Sequence, residues 1–577
     1  MGGTICFVLV AILVSTIAAF QTLDVTSFGV RPDSGADATS AFQQAFAAVR
    51  LQSGPVKLHI PRGRYDFFPA HATKRAAYYS NATEAGSDAV RTIALNLNGI
   101  KNLEIVGDNA SLVMRGKMTM LAAESCENLN IRGLTFDIQR PTVSEIEAVQ
   151  KGDGFWVGRV TRDSLFQIDG HRVRWVGEGW SAFHNLVQHF DPATGTTWRG
   201  SDPTAKATAV ESLGDRRIRF VVPPETLKEV AVGRIYQVRN TTRDESGFWF
   251  NRCRQVSIQD VKVVAMAGFG MLFQFTDGIT LNHLEIEPDP KSDRTCASAA
   301  DILHFSGCRG QIKVLNSKLS AAHDDAINVH GTQLRIVAKM GDRQVRLRFM
   351  HDQTWGFDAY QAKDEVDFVH RDTLLTYASA VVTKVERASD SREQIVTLDR
   401  PLPNDLKLDS DTLENTTWTP SVEVSGCEFS RIPTRGILVT TRRPVRIHDN
   451  SFLRIPMASV LIADDASSWF ESGAVRDVKI ERNRFVECSG PEIEVSPENS
   501  LMAGAVHRNI LVQDNDFLRC GLPMVSARAV DGLGVIGNRF YASELRKLSA
   551  DEWLRQSDST RVRVKGNVIV MGELPKK

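Results

Sequence analysis

The chain has 577 residues, in which 69 Lys and Arg balance 69 Asp and Glu, so its formal net charge is zero. This length exceeds that of one compact domain and predicts either several domains or an elongated repeat fold. The even charge balance gives no basis for binding to nucleic acid, an anionic membrane or a polyanionic substrate, and it favours a neutral ligand.

The N-terminus carries an apolar run from Ile5 to Ala19, which is short for a bilayer-spanning helix and typical of a secretory signal. We therefore predict a signal peptide over residues 1–20 and a secreted or periplasmic protein with no transmembrane segment in its mature chain. A short anchoring helix stays open as an alternative, because no Lys or Arg precedes the run.

The chain has eight cysteines, and removal of Cys6 with the signal peptide leaves seven, none of them in a Cys-x-x-Cys pair. This pattern argues against a zinc site, and a chain of this length does not need a disulfide framework. We expect buried free thiols, no metal and no cofactor.

After the signal, a short helix and a strand are predicted. Phe42, Phe46 and Val49 share one helical face, and Asp37 or Thr39 can cap the helix start. The segment VKLHIPRGRYDF then alternates apolar and polar residues, as a half-buried strand does. Such a helix and strand can cover the open edge of a β-solenoid. The stretch resembles the N-terminal cap of pectin-lyase-like proteins.

One short pattern then recurs from LNIRGLTF to VRVKGNVI: alternating apolar residues, a small or polar turn residue, and Phe or another apolar residue. Five repeats end on Phe at spacings of 23, 33, 32 and 23 residues: Phe429, Phe452, Phe485, Phe517 and Phe540. This spacing predicts a parallel β-helix whose longer turns carry loops. We expect the asparagines at the turns to adopt the left-handed conformation and to be structural: Asn316, Asn450, Asn483, Asn515, Asn538 and Asn567.

Two β-rich, turn-rich stretches interrupt the repeat, and both end on Asn-Thr-Thr. We interpret them as small inserted β-barrel modules, which typically form a wall beside a binding site. The predicted order is the N-terminal cap and first rungs over 21–140, barrel 1 over 141–245, rungs over 246–331, barrel 2 over 332–420 and C-terminal rungs over 421–577.

Stacked rungs lie about 4.8 Å apart, so aligned residues form columns. The segments DILHFS, DAINVH, RGILVTT, ASVLIA and PEIEVS align on their apolar pairs, and residues between those pairs point outward. The alignment predicts a polar patch on adjacent rungs, with Glu494 farther along the same face. Its members are Asp301, His304, Asp324, Asp325, Asn328, His330 and Arg435.

Clustered carboxylates shift one another's pKa, so that one carboxyl holds its proton while another ionises. Glycoside hydrolysis needs this pairing of an acid with a base or nucleophile. A lone Asp-Asp pair is more often a solvated turn, and calcium binding is another use of such clusters, but Asp301, His304 and Arg435 crowd this one. Trp355 offers a flat face for a sugar, and core packing explains it equally well. The rung spacing leaves the stereochemistry open.

At CASAADILHFSG and LSAAHDDAINVHG the chain resembles glycoside hydrolase family 110, the α-1,3-galactosidases. The likeness extends over the cap, the solenoid, both insertions and RGILVTTRRPV. It implies a right-handed parallel β-helix and metal-independent hydrolysis with inversion. It also implies Asp301 as general acid and Asp324 and Asp325 as candidate bases. The implied partner is a glycan such as a mucin, of blood-group-B or linear Gal-α1,3-Gal type.

Two other functions stay in view. A polygalacturonase-like enzyme has a similar aspartate arrangement, but its Gly-His-Gly and Arg-Ile-Lys motifs are not found here, where only Val329-His330-Gly331 occurs. A non-catalytic glycan-binding β-helix is the third possibility, since fold does not fix function. The sequence leaves the oligomeric state open.

Overall fold

The computed structural model describes residues 20–84, 86–240, 243–542 and 552–571. All but the last residue of the predicted signal peptide lies outside these ranges. Among the described residues, no helix is both long and apolar enough to cross a membrane. The seven described cysteines are free thiols, and all but Cys520 are buried, as expected.

A short helical cap starts the fold. A 3-10 helix at Val25–Phe28 precedes the α-helix Thr39–Arg50, whose first turn is stabilised by Asp37 accepting a hydrogen bond from the Thr39 amide at 2.9 Å. The Phe42 ring packs edge-on against the ring of Phe67 at 5.0 Å. The apolar face of the helix therefore closes one end of the solenoid core, as its sequence pattern predicts.

The body is a parallel β-helix built from two long strand stacks. The first, here the flank sheet, has 21 strands among the described residues: Gln21–Asp24, Val56–Ile60, Arg64–Phe67, Lys101–Met114, Glu127–Ile138, Arg254–Val263, Asp277–Ile286, Arg309–Leu315, Lys318–Ser320, Ser421–Ser425, Glu428–Ser430, Val445–His448, Ser451–Leu453, Val478–Glu481, Arg484–Val486, His507–Gln513, Asp516–Leu518, Val530–Ile536, Arg539–Ala542, Arg563–Lys565 and Val568–Met571.

The second stack, here the site sheet, faces the insertions. Its strands are Thr73–Ala76, Val90–Asn98, Thr119–Glu124, Ser246–Asn251, Phe269–Gln274, Leu303–Ser306, Ile327–Gly341, Ile437–Val439, Val460–Ile462, Ile493–Val495, Val525–Arg528 and Leu554–Ser557. Buried apolar side chains from both stacks form one continuous core along the solenoid.

Phenylalanines stack inside the C-terminal rungs as the repeat predicts. Successive rings of the five aligned residues lie 4.6 to 5.0 Å apart between centroids and nearly parallel. The stack ends on Trp553, whose ring centroid is 4.5 Å from that of Phe540. Offset stacking of this kind stabilises the rungs beyond the burial of ring area.

The turn asparagines have a structural role, as predicted, but most of them do not adopt the predicted left-handed conformation. Of the six turn residues, only Asn316 has a positive φ, at 48°. In the C-terminal rungs the left-handed residue is the one before each Asn, such as Asp449 and Arg482. The asparagines instead form a buried ladder: Asn450 Nδ2 donates to Asn483 Oδ1 at 3.0 Å, and the pattern repeats through Asn567.

The first insertion is an antiparallel seven-stranded sheet accompanied by a three-stranded one. Its elements are Ser144–Gly152, Phe155–Val160, Leu165–Asp169, Arg172–Gly177, Trp180–Ala182, Leu186–Asp191, Thr196–Arg199, Ala209–Gly214, Arg217–Val221, the helix Pro224–Lys228, and Ile235–Arg239. It has a separate apolar core, in which the Trp156 and Phe220 rings stack at 4.6 Å.

The second insertion is a closed antiparallel barrel. The strand Ile327–Gly341 leaves the site sheet and continues into the barrel, where it pairs with two strands that complete a ring. The remaining five strands are Gln344–Arg348, Glu365–His370, Leu375–Arg387, Glu393–Leu398 and Thr412–Asn415. A short strand at Glu471–Ser472 also pairs with Ile327–Gly341. The barrel therefore begins directly on the rung that carries the paired aspartates.

Candidate active site

The rung register is the one predicted from the sequence. Leu303 pairs with Ile327, which pairs in turn with Ile437, and the column continues through Val460 and Ile493. Because side chains alternate along a strand, this register fixes the preceding column as Asp301, Asp325 and Arg435. Local sequence thus brings residues far apart in the chain onto neighbouring rungs.

A cavity of about 320 Å³ opens over this column. The first insertion contributes Arg199 to its wall, and the segment after that insertion contributes Arg243. The opposite wall is the loop 463–471. Residues from all three regions line the cavity: Asn81, Arg199, Arg243, Phe269, Asp301, Asp324, Asp325, Asn328, Arg435, Leu438, Thr440, Leu461, Ala463, Asp465, Ser468, Trp469, Glu471 and Glu498.

Asp324 is the ionised carboxylate of the cluster. Arg199 Nη2 donates to its Oδ1 at 2.9 Å, and Arg243 Nη2 donates to its Oδ2 at 2.7 Å. Burial opposes ionisation, but the positive charges of Arg243, Arg199 and Arg435 outweigh it and hold the pKa of Asp324 below its ordinary value. Asp324 therefore carries a negative charge that faces the cavity.

Asp325 is bound more tightly within the protein. Its side chain accepts hydrogen bonds from Thr434 Oγ1 at 2.6 Å and from Arg435 Nε and Nη2 at 3.0 and 2.6 Å. The residue is fully buried, and burial raises the pKa of its carboxyl to about 7 against the attraction of Arg435. This arrangement suits a group that holds Arg435 in place on the cavity wall.

Among the described residues, Asp301 is the aspartate of the cluster that accepts no hydrogen bond from an arginine, so it is the one that most readily holds a proton. Burial, reinforced by the negative charge of Asp324, raises the pKa of Asp301 to about 7. One oxygen from each of the three aspartates lies within 4.8 Å of the other two. The cavity therefore holds an acid beside an ionised carboxylate, which is the division of roles that glycoside hydrolysis needs.

A chain of hydrogen bonds runs behind Asp301. Its Oδ2 lies 2.8 Å from His304 Nδ1, and His304 Nε2 lies 2.9 Å from His330 Nε2. His330 Nδ1 lies 2.7 Å from the carbonyl oxygen of Gly331, and His330 Nε2 lies 3.7 Å from Glu471 Oε1. Burial lowers the pKa of His304 to about 3, so its ring is neutral.

The predicted binding residues divide into three groups. Asn328 and Arg435 line the cavity, and their role in sugar binding stays a prediction. His304 and His330 are buried behind Asp301. His304 contacts Asp301 and His330, and neither ring faces the cavity, so neither is placed to contact a sugar directly.

Trp355 and Glu494 do not line the cavity. Trp355 is packed in the core of the second insertion, 5.3 Å from the Tyr78 ring, and its Nε1 donates to the Thr83 carbonyl at 3.0 Å. Glu494 lies one rung beyond the cavity residue Leu461. Glu494 therefore points to the same face as the cavity residues, as predicted, but it lies too far along the solenoid to line the cavity.

Sequence reasoning missed Trp469, which is a partly exposed aromatic ring on the cavity wall. The Asp465 carboxylate accepts hydrogen bonds from the amides of Ser467, Ser468, Trp469 and Phe470, and this fixes the loop. The ring stacks on His351 of the second insertion at 3.8 Å. A signal existed: the 33-residue spacing from Phe452 to Phe485 marks a loop longer than the 23-residue minimum.

Arg199, Arg243 and Glu471 were also missed. The two arginines reach the site from the first insertion and the segment that follows it, where no repeat pattern predicts which side chain points at a rung. Glu471 accepts from Asn81 Nδ2 at 2.7 Å. Burial opposes its ionisation, but His330 and the neighbouring amides hold the pKa of Glu471 below its ordinary value.

Within the part of the chain that the structure describes, two sets of side chains have the composition of metal sites. Asp301, Asp324 and Asp325 form one, but three arginines already neutralise that set. His304, His330 and Glu471 form the other. The 2.9 Å between the two histidine nitrogens suits a hydrogen bond, whereas two nitrogens bound to one tetrahedral zinc stand roughly 3.3 Å apart.

A parallel β-helix with an acid and an ionised carboxylate in a sugar-sized cavity defines a glycoside hydrolase of the β-helix class. Residues 344–410 match the model of the GLAA-B beta-barrel domain II. The chain is 33% identical to alpha-1,3-galactosidase A of Bacteroides thetaiotaomicron, over 94% of this chain and 96% of that protein. It therefore belongs to the α-1,3-galactosidase family, glycoside hydrolase family 110.

Two further relatives agree. Alpha-1,3-galactosidase A of Akkermansia muciniphila is 36% identical over 81% of this chain and 78% of its own length. Alpha-1,3-galactosidase B of Bacteroides thetaiotaomicron is 30% identical over 91% of this chain and 87% of its own length. These relatives favour the galactosidase prediction over the polygalacturonase-like and non-catalytic alternatives.

Proposed function

We propose that this protein is an exo-acting α-1,3-galactosidase that removes terminal galactose from blood-group-B-type or linear Gal-α1,3-Gal glycans. The observation that carries the proposal is one cavity that holds both Asp301 and Asp324 in a chain from this family. Burial raises the pKa of Asp301 to about 7, whereas three arginines hold the pKa of Asp324 below its ordinary value. The neutral overall charge of the chain suits a neutral glycan.

The shape of the cavity supports action at a chain end. Arg199 of the first insertion bounds one side, and the loop that carries Trp469 bounds the other. The second insertion supports that loop through the stacking of His351 on Trp469. An open groove along the rungs would accept the middle of a polymer, whereas a cavity bounded on these two sides suits a single terminal sugar.

In the proposed mechanism Asp301 donates its proton to the glycosidic oxygen as the bond to the anomeric carbon breaks. Asp324 removes a proton from a water molecule that attacks this carbon from the opposite face, which inverts its configuration. The aglycone leaves as an alcohol with the proton of Asp301, and Asp324 ends the cycle protonated. Both oxygens of Asp324 accept hydrogen bonds from arginines, which favours a role as base over a role as covalent nucleophile.

The other cavity residues bind the sugar in this proposal. Asn328 and Arg435 are placed to donate hydrogen bonds to galactose hydroxyls, and Trp469 offers the apolar face on which a galactose ring stacks. Asp325 keeps Arg435 in position. No step requires a metal, and we propose metal-independent hydrolysis.

Retention is the second candidate for stereochemistry. One oxygen from each carboxylate lies within 4.8 Å of the others. This closeness is compatible with the separation of about 5–5.5 Å between the carboxyl groups of retaining enzymes. In that case Asp324 would attack the anomeric carbon and form a galactosyl-enzyme intermediate.

Time-resolved NMR of the purified protein with Gal-α1,3-(Fuc-α1,2)-Gal and with Gal-α1,3-Gal tests the proposal. β-Galactose as the first product would support inversion, and α-galactose as the first product would support retention. The ratio of the two rates gives the preference between branched and linear glycans. Absence of galactose from both would overturn the galactosidase proposal. Unchanged rates after dialysis against a chelator would support metal independence.

We also propose that residues 1–20 direct the protein to the periplasm or outside the cell, where it would encounter glycans such as those of mucins. N-terminal sequencing of the protein secreted by its host would test this, since a start near residue 21 is expected.

A further inference from the structure

The proposed acid, Asp301, has two oxygens with different surroundings. Oδ2 contacts His304 Nδ1, and among the described residues this is the only side-chain hydrogen bond of Asp301. Oδ1 is therefore the oxygen left for the cavity that Asp301 lines. A general acid must carry its proton on the oxygen that meets the leaving group, so the side on which the proton sits decides whether Asp301 works.

The hydrogen-bond chain restricts where protons can lie. The Gly331 carbonyl can only accept, so His330 Nδ1 carries a hydrogen. The 2.9 Å contact between His304 Nε2 and His330 Nε2 needs one hydrogen between two nitrogens. If that hydrogen belongs to His304, the neutral His304 ring accepts at Nδ1 and draws the Asp301 proton to Oδ2, away from the cavity. If it belongs to His330, His304 donates from Nδ1 and the Asp301 proton sits on Oδ1.

Glu471 decides between these two arrangements. A hydrogen on both nitrogens makes His330 an imidazolium, and the ionised Glu471 lies 3.7 Å from its Nε2. Asn81 and Asn328 amides hold Glu471 in that position, at 2.7 and 3.4 Å. A buried positive charge with a fixed anion beside it is far more stable than one without.

The other charged groups around the pair do not supply a competing anion at His330. Asp324, on the same rung as His330, and Arg243, from the segment after the first insertion, both act on His304, and Arg243 already neutralises Asp324. His351 of the second insertion shares with His330 a small cavity of about 10 Å³. Burial lowers the pKa of His351, so this ring adds no charge there.

We propose that His330, as an imidazolium paired with Glu471, is a positioning residue that fixes His304 as its Nδ1–H tautomer and thereby keeps the acid proton of Asp301 on Oδ1. This proposal rests on the proposed role of Asp301 as general acid. When Asp301 gives up the Oδ1 proton, the His304 Nδ1–H bond stabilises the carboxylate that remains. The chain thus favours both the correct acid and its product.

The first test locates hydrogens directly. A neutron structure of the perdeuterated full chain at pH 6 should show deuterium on both nitrogens of His330, on Nδ1 of His304 and on Oδ1 of Asp301. Deuterium on His304 Nε2 together with Asp301 Oδ2 would overturn the proposal. This measurement does not depend on turnover, so it separates failure of the proposal from failure of the galactosidase function.

The second test compares two variants. His330→Met fills similar space but cannot donate to His304, whereas His330→Gln can. We expect H330M to lower kcat for Gal-α1,3-Gal by roughly 10²-fold, as misplaced catalytic groups do, and to leave the rate on p-nitrophenyl α-galactoside near that of the unmodified chain, because this leaving group needs little protonation. H330Q should recover most of the loss.

His507→Gln is the matched control. His507 is also a fully buried histidine on a rung, and burial lowers its pKa to about 3, but it lies outside the cavity. H507Q should change neither rate. Equal losses on both substrates in H330M, or no recovery in H330Q, would show that His330 has only a packing role and would overturn the proposal.

Discussion

Arg243 Nη2 lies 2.7 Å from Asp324 Oδ2, and this contact joins the segment that leaves the first insertion to a rung of the solenoid. Arg199, from a strand of the same insertion, holds the other oxygen of Asp324 at 2.9 Å. The repeat scaffold supplies the carboxylate, and the insertion supplies the charge that keeps it ionised. The insertion therefore not only bounds the cavity but also sets the charge of Asp324.

The first prediction concerns Arg243→Met. Removal of this positive charge should raise the pKa of Asp324 by about 1–3 units, because an opposite charge at hydrogen-bond distance favours the ionised form by that amount. The proposed base works only when ionised, so the acidic limb of the kcat/KM profile should move to higher pH. The profile on Gal-α1,3-Gal between pH 4 and 8 measures this.

Arg482→Met is the control for this experiment. Arg482 also pairs with an aspartate, Asp449, but on the exposed flank of the solenoid. Its loss should not move the profile. An acidic limb that stays in place in R243M would mean that another group titrates there, and Asp324 would lose its assignment as base.

The second prediction concerns the acid. Asp301→Asn cannot protonate a leaving group, so kcat for Gal-α1,3-Gal should fall by about 10²–10⁴-fold, the usual contribution of general acid catalysis. Hydrolysis of p-nitrophenyl α-galactoside should fall much less, because its leaving group departs as an anion. Steady-state rates on both substrates decide the point, and equal losses would contradict the assignment.

The third prediction concerns stability of the same variant. Burial raises the pKa of Asp301 to about 7, while the unfolded chain should titrate near the ordinary value of 3.8. Between these values the folded state binds one more proton than the unfolded state, so the free energy of unfolding falls as pH rises. D301N lacks this group. The melting temperature of D301N relative to that of the unmodified chain should therefore rise from pH 5 to pH 7, and the difference should stay constant above pH 7.

Calorimetry at four pH values checks the third prediction. Asp516→Asn, at an exposed ion pair with Arg539 on the flank sheet, serves as control and should show no such gain. A difference between D301N and the unmodified chain that is constant with pH would contradict a raised pKa at Asp301.

Much of the fold was predictable because strand period and rung spacing are local properties of the sequence. The same two properties gave the column of Asp301, Asp325 and Arg435. They could not identify Arg199 or Arg243, because the position of an insertion over the rungs depends on tertiary packing. They also failed at Trp355, because an aromatic residue in a barrel fits a core and a binding surface equally well.

The fourth prediction separates Trp469 from Trp355. Trp469→Ala should raise KM for Gal-α1,3-Gal by roughly fivefold, because loss of a stacked aromatic partner costs about 1 kcal/mol. The free energy of unfolding should stay within about 1 kcal/mol of that of the unmodified chain, because the Trp469 ring is partly exposed. Trp355→Ala should destabilise the second insertion by about 3–5 kcal/mol, as truncation of buried aromatic residues does.

Galactose release and denaturant unfolding, measured on both variants, check the fourth prediction. If W469A binds as the unmodified chain does, Trp469 is not a sugar platform. If W355A changes KM alone, the core assignment of Trp355 is wrong.

The last prediction concerns the asparagine ladder. Asn483 is buried, its Nδ2 donates to the Ile447 carbonyl at 2.8 Å, and its Oδ1 accepts from the Asn450 amide and Nδ2 at 3.1 and 3.0 Å. Asn483→Ala removes the partner of the Asn450 amide and of the Ile447 carbonyl, at a cost of roughly 1–3 kcal/mol for each group. Asn450 Nδ2 keeps its hydrogen bond to the Val424 carbonyl. Because Asn483 has an ordinary backbone conformation, this loss reflects hydrogen bonding and not φ strain.

Asn130→Ala, on an exposed position of the strand Glu127–Ile138, should change stability by no more than about 0.5 kcal/mol. The free energy of unfolding in urea compares the two variants, and kcat on Gal-α1,3-Gal at 25 °C should stay unchanged in both because neither residue lines the cavity. Equal stability in N483A and N130A would mean that the rungs are held by the phenylalanine stack and strand pairing alone, with the ladder as a consequence of the fold and not one of its causes.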